Sequence, residues 1–433
     1  MTPQARASAA IEVLADIEAR KRPASEALKD WGLSHRFAGS GDRAAIGNLV
    51  FDCLRKRASA AYAMGADTPR ALVLRTLVTS WHKTPEEVAA LADGSRYAPE
   101  PLSEAELEGL AREIPADAPA PVRGDYPAWL QPPFERAFAA RAGEEGAALA
   151  ERAPVDLRVN TLKATREKVL KALQRFSPAP TPLSPTGVRI LQAVGPGRSP
   201  HVEAEAGHGK GWYEVQDEAS QVAALLTGAG PKAQVIDLCA GAGGKTLALA
   251  ALMQNSGQLY AYDSDRMRLR PIFERLKRAG VRNAQVLAAG DTGALSEHRG
   301  KMDLVVIDAP CTGTGTWRRN PDAKWRMRPG ALEVRLKDQI EVLDRAAPLV
   351  KPGGRIAYIT CSVLPPENGE QIRGFVARHP EFSVLPPSQT MTVLWDKAEE
   401  FADAVLQSAE GLLMTPRRTG TDGFFVSVLK RQA

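Results

Sequence analysis

A chain of 433 residues is too long for one ordinary hydrophobic core, so two or three domains are expected. The composition is that of a soluble globular protein, no apolar run is long enough to span a membrane, and the first residues form no secretory signal, which together predict a cytoplasmic protein. Four cysteines without CxxC spacing argue against a disulfide framework and a zinc site, and a net charge of +5 is weak evidence for a polyanionic partner.

Residues 1–120 carry apolar positions at helical spacing and contain no convincing strand. Capping boxes at Thr84 and Ser103 mark two helix starts. We therefore expect a small all-α domain, with Cys53 in its core. The cations at 55–57 fit a solvated helix end and a nucleic-acid contact equally well. A Pro/Ala-rich stretch at 114–121 predicts a linker.

Residues 125–212 show a strand–helix–strand pattern. The strand at 157–163 is followed by a helix at 165–176 and by strand-like pieces around 188–191. This order predicts a small α+β module. Arg158 and Lys163 are candidates for phosphate contacts, although exposed charges on a strand explain them equally well.

In residues 213–433, strands and helices alternate. Short apolar runs predict strands at 235–238, 258–262, 285–287, 304–307, 355–359 and 423–429. Helical patterns separate several of them, as at 246 onward and 332–349. Such alternation predicts an α/β fold with a doubly wound, mostly parallel sheet.

A glycine-rich turn follows the first of these strands. It ends in Gly-Lys-Thr, but a P-loop needs glycine where Cys239 stands, and a dinucleotide fingerprint needs glycine where Thr246 stands. Backbone N–H groups at a helix N-terminus remain, and they suit a carboxylate or another anion. The turn consists of Cys239, Ala240, Gly241, Ala242, Gly243, Gly244 and Lys245.

Acidic residues end the next two strands. Asp263 stands about twenty residues beyond the turn, where such sheets bind ribose hydroxyls. Asp291 ends the third strand, near the expected place of an adenine amino group. A glycine turn followed by these two acids is typical of S-adenosyl-L-methionine binding in a class I (Rossmann-like) methyltransferase.

Two cysteines follow the fourth and fifth strands. Cys311 lies in Asp308-Ala309-Pro310-Cys311, and Cys361 lies in Thr360-Cys361-Ser362. Methylation of cytosine at C5 requires a thiolate that adds to C6, an acid that binds the base, and a second group that assists release. Asp308, Cys311 and Cys361 supply these three groups, and Lys245 with the helix N-terminus would favour a thiolate.

These motifs resemble those of the RNA cytosine-C5 methyltransferase family over about residues 155–430. The resemblance implies that Cys361 attacks C6, that Cys311 is needed for product release and that Asp308 contacts the cytosine. It places Lys245 beside the active site, and cofactor contacts along 239–245 and at Asp263, Asp291 and Asp308. In one departure, Ala242 replaces the usual proline of the turn, which should loosen it slightly.

Within this family the N-terminal part resembles that of the bacterial small-subunit rRNA methyltransferases of type B, whose helical domain is similar to the antitermination factor NusB. That implies a cytosine in small-subunit (16S) rRNA as the target. The expected domains are an all-α RNA-binding domain at 1–120, an RRM-like α+β RNA-binding module at 125–212 and the catalytic domain at 213–433.

The stretch 316–328 interleaves cations with two tryptophans, as expected for stacking on single-stranded RNA. A solvated charged loop is the alternative. The residues expected to contact RNA are Arg158, Asn160, Lys163, Trp317, Arg318, Arg319, Lys324, Trp325 and Arg326.

Two other functions remain open from the sequence. In a DNA cytosine-C5 methyltransferase, Cys311 would attack and Cys361 would be incidental. A non-catalytic rRNA-binding assembly factor would use neither thiol. Without metal-ligand spacing or coiled-coil heptads, we expect no metal and a monomer.

Overall fold

The computed structural model describes residues 1–394 and 396–433. Its α-helices are α1 Pro3–Arg20, α2 Ala24–Ser34, α3 Ser40–Arg55, α4 Arg57–Met64, α5 Pro69–Thr79, α6 Pro85–Leu91, α7 Glu104–Ala111, α8 Ala120–Arg123, α9 Gln131–Phe138, α10 Ala142–Leu149, α11 Arg166–Ala172, α12 Ala206–Gly209, α13 Glu218–Leu226, α14 Gly244–Leu252, α15 Arg266–Leu269, α16 Ile272–Ala279, α17 Thr292–Ser296, α18 Pro321–Arg326, α19 Pro329–Ala346, α20 Gly369–Arg378, α21 Pro387–Met391, α22 Ala398–Ala404 and α23 Pro416–Thr419. Its strands are β1 Val155–Val159, β2 Ala179–Pro180, β3 Gly187–Ile190, β4 Tyr213–Val215, β5 Gln234–Asp237, β6 Gln258–Ala261, β7 Ala284–Val286, β8 Met302–Asp308, β9 Val350–Thr360, β10 Phe382–Val384, β11 Leu406–Ser408, β12 Gly411–Met414 and β13 Phe424–Arg431.

The chain forms two compact units, each assembled from several segments. Unit 1 contains residues 1–152, 192–199 and 317–327. Unit 2 contains residues 153–191, 200–316 and 328–433. Among the described residues, no helix combines the length and apolarity needed to cross a bilayer.

Unit 1 is helical, as predicted for its first 120 residues. Both expected capping boxes form, with Thr84 paired to Glu87 and Ser103 paired to Glu106. Cys53 is buried in the apolar core, as predicted. The Pro/Ala stretch is not a boundary between the units, because it lies inside unit 1.

The three cations at 55–57 already have partners within unit 1. The Arg55 guanidinium donates to the carbonyl of Arg318 at 2.7 Å. Lys56 forms an ion pair with Glu151, and Arg57 forms ion pairs with Glu18 and Asp67. These contacts show that the helix end is not simply solvated, and a nucleic-acid contact by these cations is still only a prediction.

Unit 2 contains the predicted α+β module as a four-stranded antiparallel sheet in the order β2-β3-β1-β4. Asn160, just after β1, donates to the carbonyls of Gly211 at 2.9 Å and of Ala279 at 2.8 Å. Ala279 ends α16, so this buried amide fastens the module to a helix of the larger sheet.

The larger sheet has nine strands in the order β11-β12-β13-β9-β8-β5-β6-β7, with β10 paired to β13. Strands β9, β8, β5, β6 and β7 are parallel, which confirms the doubly wound α/β prediction. The chain runs outward from β5 through β6 and β7, and then returns to place β8 on the other side of β5. This reversal creates the crevice in which such sheets bind ligands.

We predict that Asn160→Ala lowers the free energy of unfolding by about 2–3 kcal/mol, because it leaves two buried carbonyls without donors. Urea denaturation measures this change. Lys163→Met is the control, since exposed Lys163 donates to the carbonyls of Lys210 and Arg278, and it should cost less than about 1 kcal/mol. Equal stability of Asn160→Ala and the wild type would contradict the fastening role.

Candidate active site

The two cysteines meet because their strands are neighbours. In the parallel pair β8–β9, Ile307 lies opposite Tyr358 and Asp308 opposite Ile359. Cys311 and Cys361 follow these last pairs, so both loops leave the sheet at the same edge. Their Sγ atoms are 3.3 Å apart, and both thiols are free.

The pKa of the Cys311 thiol is raised well above its ordinary value, chiefly by its hydrogen bond with Cys361 and then by burial and the nearby charge of Glu367. Cys311 therefore holds its proton at neutral pH. The Cys361 sulfur and the burial of the pair both oppose deprotonation of Cys311.

Asp308 and Lys245 lie beside the thiols. Lys245 Nζ is 3.4 Å from Asp308 Oδ2 and donates to Ser220 Oγ at 2.7 Å. The lysine side chain is 3% exposed, and its ammonium lies 5.0 Å from the centre of the Phe424 ring. Asp308 is 36% exposed, so a carboxylate held by a buried cation is accessible at the edge of the sheet.

The glycine turn connects β5 to α14 as predicted. Gly243 has a φ of +87°, and a Cβ there would lie 2.6 Å from Ile272 Cγ1, so both conformation and space require glycine. At Ala242, where the resembling family has proline, the carbonyl accepts from Arg275 Nη1 at 2.8 Å. This hydrogen bond restrains the backbone of the turn at the position where a proline would restrict it in the resembling family.

A cavity of about 450 Å³ lies beside the turn. Of the residues expected to bind the cofactor, Cys239 and Asp263 line it, together with Asp265, Arg268 and Pro310. Buried Asp263 accepts from the Gly241 N–H at 2.9 Å, which ties the end of β6 to the turn. Burial raises the pKa of Cys239 well above its ordinary value, so it forms a neutral wall.

Asp291 lies apart from this lining. Its exposed side chain caps α17 and accepts from the N–H groups of Gly293 at 2.8 Å and Ala294 at 3.2 Å. The predicted contact with an adenine amino group is therefore still only a prediction.

Sequence reasoning missed Glu367, which lies in the short 3₁₀ turn Pro365–Glu367 after the second cysteine. Its fully buried carboxylate accepts from Thr312, next to Cys311, and from Ser362, next to Cys361. No spacing rule points to it, because its partners come from two distant loops.

The stretch 316–328 does not provide the exposed stacking surface that its composition predicts. Trp317 is 1% exposed within unit 1, and its indole is stacked on Phe134. The ammonium of buried Lys324 donates to the carbonyls of Asp125 and Arg55, and the Trp325 indole donates to that of Leu54. The expected base stacking by Trp317 and phosphate contact by Lys324 are corrected accordingly, because these groups hold α18 in unit 1.

Arg318 is buried too, while exposed Arg326 forms an ion pair with Asp322 at 3.1 Å. Arg319 is half-buried, and an RNA contact there is still only a prediction.

The expected RNA contacts of Arg158 and Asn160 are corrected similarly. Arg158 is buried and donates to Gln216 Oε1 at 2.6 Å, and buried Asn160 fastens the module as described. Lys163 is exposed and its ammonium donates to the carbonyl of Arg278 at 2.6 Å; an RNA contact there is still only a prediction. The polar groups of this strand are used inside unit 2.

The sheet order and the glycine turn define a class I methyltransferase fold, and solved structures share it. NSun6 from Pyrococcus horikoshii with SFG has a TM-score of 0.60 at 20% identity, over 71% of this chain and 98% of that one. A methyltransferase homolog protein from Pyrococcus horikoshii has a TM-score of 0.58 at 24% identity, over 74% of this chain and 100% of that one.

The chain belongs to the 16S rRNA methyltransferase RsmB/F family, whose model matches residues 225–430; the RsmF/B-like ferredoxin-like domain matches 126–195. The ribosomal RNA small subunit methyltransferase B of Sodalis glossinidius is 30% identical over 355 residues, 80% of this chain and 76% of the relative. A probable ribosomal RNA small subunit methyltransferase B of Synechocystis sp. is 31% identical over 314 residues, 71% of this chain and 67% of the relative. The predicted family resemblance is confirmed.

Asp237, at the end of β5, gives a pH-dependent prediction. Burial raises the pKa of this carboxyl to about 7, with Lys245, Asp308, Cys239 and the Thr246 hydroxyl around it. The folded state then binds the proton more tightly than the unfolded chain between about pH 4 and pH 7, so the stability contributed by this group falls as pH rises through that window. The unfolding free energy of the wild type minus that of Asp237→Asn should therefore decline from pH 5 to pH 8.

Asp303→Asn is the control. Burial acts to raise the pKa of Asp303, but hydrogen bonds from the Gln234 N–H and Lys351 lower it overall. The unfolding free energy of the wild type minus that of Asp303→Asn should therefore stay constant from pH 5 to pH 8. A flat difference for Asp237→Asn as well would show that Asp237 titrates normally.

Proposed function

We propose that the protein is an S-adenosylmethionine-dependent RNA cytosine-C5 methyltransferase that acts on a cytosine of small-subunit rRNA. The observation that carries this proposal is the pair of free thiols, 3.3 Å apart, beside Asp308 at the ligand-binding edge of a methyltransferase sheet. The relatives named small-subunit rRNA methyltransferases support the substrate class.

The two thiols have separate roles in this proposal. Cys361 Sγ attacks C6 of the cytosine, which makes C5 nucleophilic. Cys311 keeps its proton because of its raised pKa, so Cys361 is the thiol proposed to attack. Once C5 is methylated, the C5 proton passes to water and the bond between Cys361 and C6 breaks by elimination. Cys311 assists this release as the neutral thiol 3.3 Å from the departing Cys361 sulfur.

Asp308 recognises the base. The exocyclic amine of the cytosine donates to one oxygen of this partly exposed group, and the other oxygen shares a proton with N3, which neutralises the charge that develops on addition to C6. The nearby Lys245 ammonium holds the carboxylate in place through the 3.4 Å contact.

The cavity beside the glycine turn fits the methyl donor. Its volume of about 450 Å³ and the carboxylate of Asp263 on its wall suit an adenosyl group with ribose hydroxyls. The N–H groups of the turn suit the carboxylate of S-adenosylmethionine. When bound, S-adenosylmethionine supplies an electrophilic methyl group on a sulfonium. Asp291 and the turn 240–245 complete the proposed contacts.

Incubation with bare small-subunit rRNA and methyl-labelled S-adenosylmethionine tests the activity. We expect label at C5 of a cytosine, because the site holds both thiols and the base-binding acid. Mass spectrometry of the digested RNA identifies the base and position. Absence of label from every cytosine C5 would refute the proposed function and favour a non-catalytic assembly factor.

Substitution of each thiol tests their roles. Cys361→Ser should abolish the covalent protein–RNA complex, whereas Cys311→Ala should accumulate it, because release slows while attack persists. Denaturing gel electrophoresis with labelled RNA measures the complex. The reverse pattern, loss with Cys311→Ser and persistence with Cys361→Ser, would assign the attack to Cys311, as in DNA cytosine-C5 methyltransferases.

A further inference from the structure

Glu367 connects the two cysteine loops. Its Oε1 accepts from the Thr312 N–H at 2.8 Å and from Gln339 Nε2 at 3.1 Å. Its Oε2 accepts from the hydroxyls of Thr312 and Ser362. Thr312 directly follows Cys311, and Ser362 directly follows Cys361, so one carboxylate is bonded to both loops.

These hydrogen-bond partners are all neutral, and Glu367 is fully buried. Burying a carboxylate is unfavourable unless its oxygens are well bonded, and neutral donors compensate less than a cation does. A neutral glutamine or an apolar residue would cost less at this position if its role were only to fill space. The presence of a carboxylate at position 367 is better explained by its strong hydrogen bonds to both cysteine loops.

The position of Glu367 is itself fixed. The Tyr358 hydroxyl, on β9, donates to the Glu367 carbonyl at 2.7 Å. Gln339, on α19, also donates to the carbonyl of Pro310 at 2.9 Å, immediately before Cys311. The carboxylate is therefore anchored to the sheet and to a helix, and each cysteine loop is tied to that anchor.

Chemistry at neighbouring atoms of one ring requires such an anchor. C5 and C6 of cytosine are bonded to each other, so a thiol joined to C6 and a group acting at C5 must keep a short, constant separation. The loops that carry Cys311 and Cys361 would otherwise move independently, and displacements of about 1 Å can cost two orders of magnitude in rate.

We propose that Glu367 is a positioning residue that fixes the separation of the two thiols and thereby couples adduct formation at Cys361 to release by Cys311. This inference rests on the proposed function and adds a residue that acts through both thiols without touching the substrate.

Glu367→Gln tests the coupling. The amide keeps the size but removes the charge, and its NH₂ group can meet the hydroxyls of Thr312 and Ser362 only if these turn from donors into acceptors, so the charge-assisted link between the loops is lost. We expect S-adenosylmethionine affinity and adduct formation to persist, while product release slows about tenfold or more and the adduct accumulates. Single-turnover methyl transfer and the ratio of adduct to released RNA separate these steps.

Glu218→Gln is the matched control. Glu218 is also a fully buried carboxylate of unit 2; it accepts from the N–H groups of Leu183 and Ser184 and, unlike Glu367, also pairs with Arg189 at 3.3 Å. The same chemical change should lower the Tm without altering the ratio of adduct to product. A merely structural role of Glu367 predicts the same outcome for both variants.

Two smaller changes keep the test decisive if Glu367→Gln fails to fold. Thr312→Val and Ser362→Ala each remove one hydroxyl from the carboxylate and leave its charge in place. Each should raise the ratio of adduct to product at a temperature below its Tm. In a folded Glu367→Gln background, each should add little, because the link is already broken.

The outcomes distinguish the two proposals. If the wild type forms the Cys361 adduct and the ratio is unchanged in Glu367→Gln, or in both smaller variants, the positioning role is refuted and the proposed function stands. If the wild type forms no adduct and no C5 label, the proposed function itself fails. A raised ratio in the glutamate variant but not in Glu218→Gln supports the inference.

Discussion

The parallel pairing of β8 with β9 is the constraint on which the site depends. Strands that pair in parallel begin and end at the same edges, so two loops separated by fifty residues of sequence leave the sheet side by side. The placement of β8 against β5 brings the glycine turn and Lys245 to the same edge. An antiparallel pairing would put the thiols at opposite ends of the sheet, with no shared substrate pocket.

Most of the ionisable groups at this edge of the sheet are buried, and burial affects which of them are charged. Burial raises the pKa of Asp237, and the hydrogen bond with Cys361 followed by burial raises that of Cys311, whereas the buried ammonium of Lys245 is matched by Asp308 and Ser220. Water is largely excluded around these groups, so their mutual interactions are stronger than in solution. Asp308 is the exception, since its exposure leaves it available to a base.

Much of the catalytic unit could be predicted from local patterns. The β-branched runs locate β5, β8 and β9, and the residues directly after them locate the thiols and Asp308, because strand ends and functional loops coincide in parallel sheets. Short antiparallel strands such as β11 and β12 carry too few residues for a pattern. Asn160 bonds Gly211 and Ala279, and Glu367 links nearby Ser362 to Thr312, which is 55 residues away; periodicity cannot reveal such long-range links. The tryptophans at 317 and 325 were wrongly predicted to stack on RNA. Cations interleaved with aromatic residues give the same sequence pattern on an RNA-binding surface and in a polar interior.

The discontinuity of unit 1 affects how the protein folds during synthesis. The ribosome releases the helices of residues 1–152 early, but the segment 317–327 that packs among them emerges only after most of the chain has been made. Until then the backbone carbonyl of Leu54 lacks its indole donor, and the apolar side chains around Trp317 lie open to water. The N-terminal bundle is thus an incomplete intermediate for much of translation, a state that chaperones commonly protect.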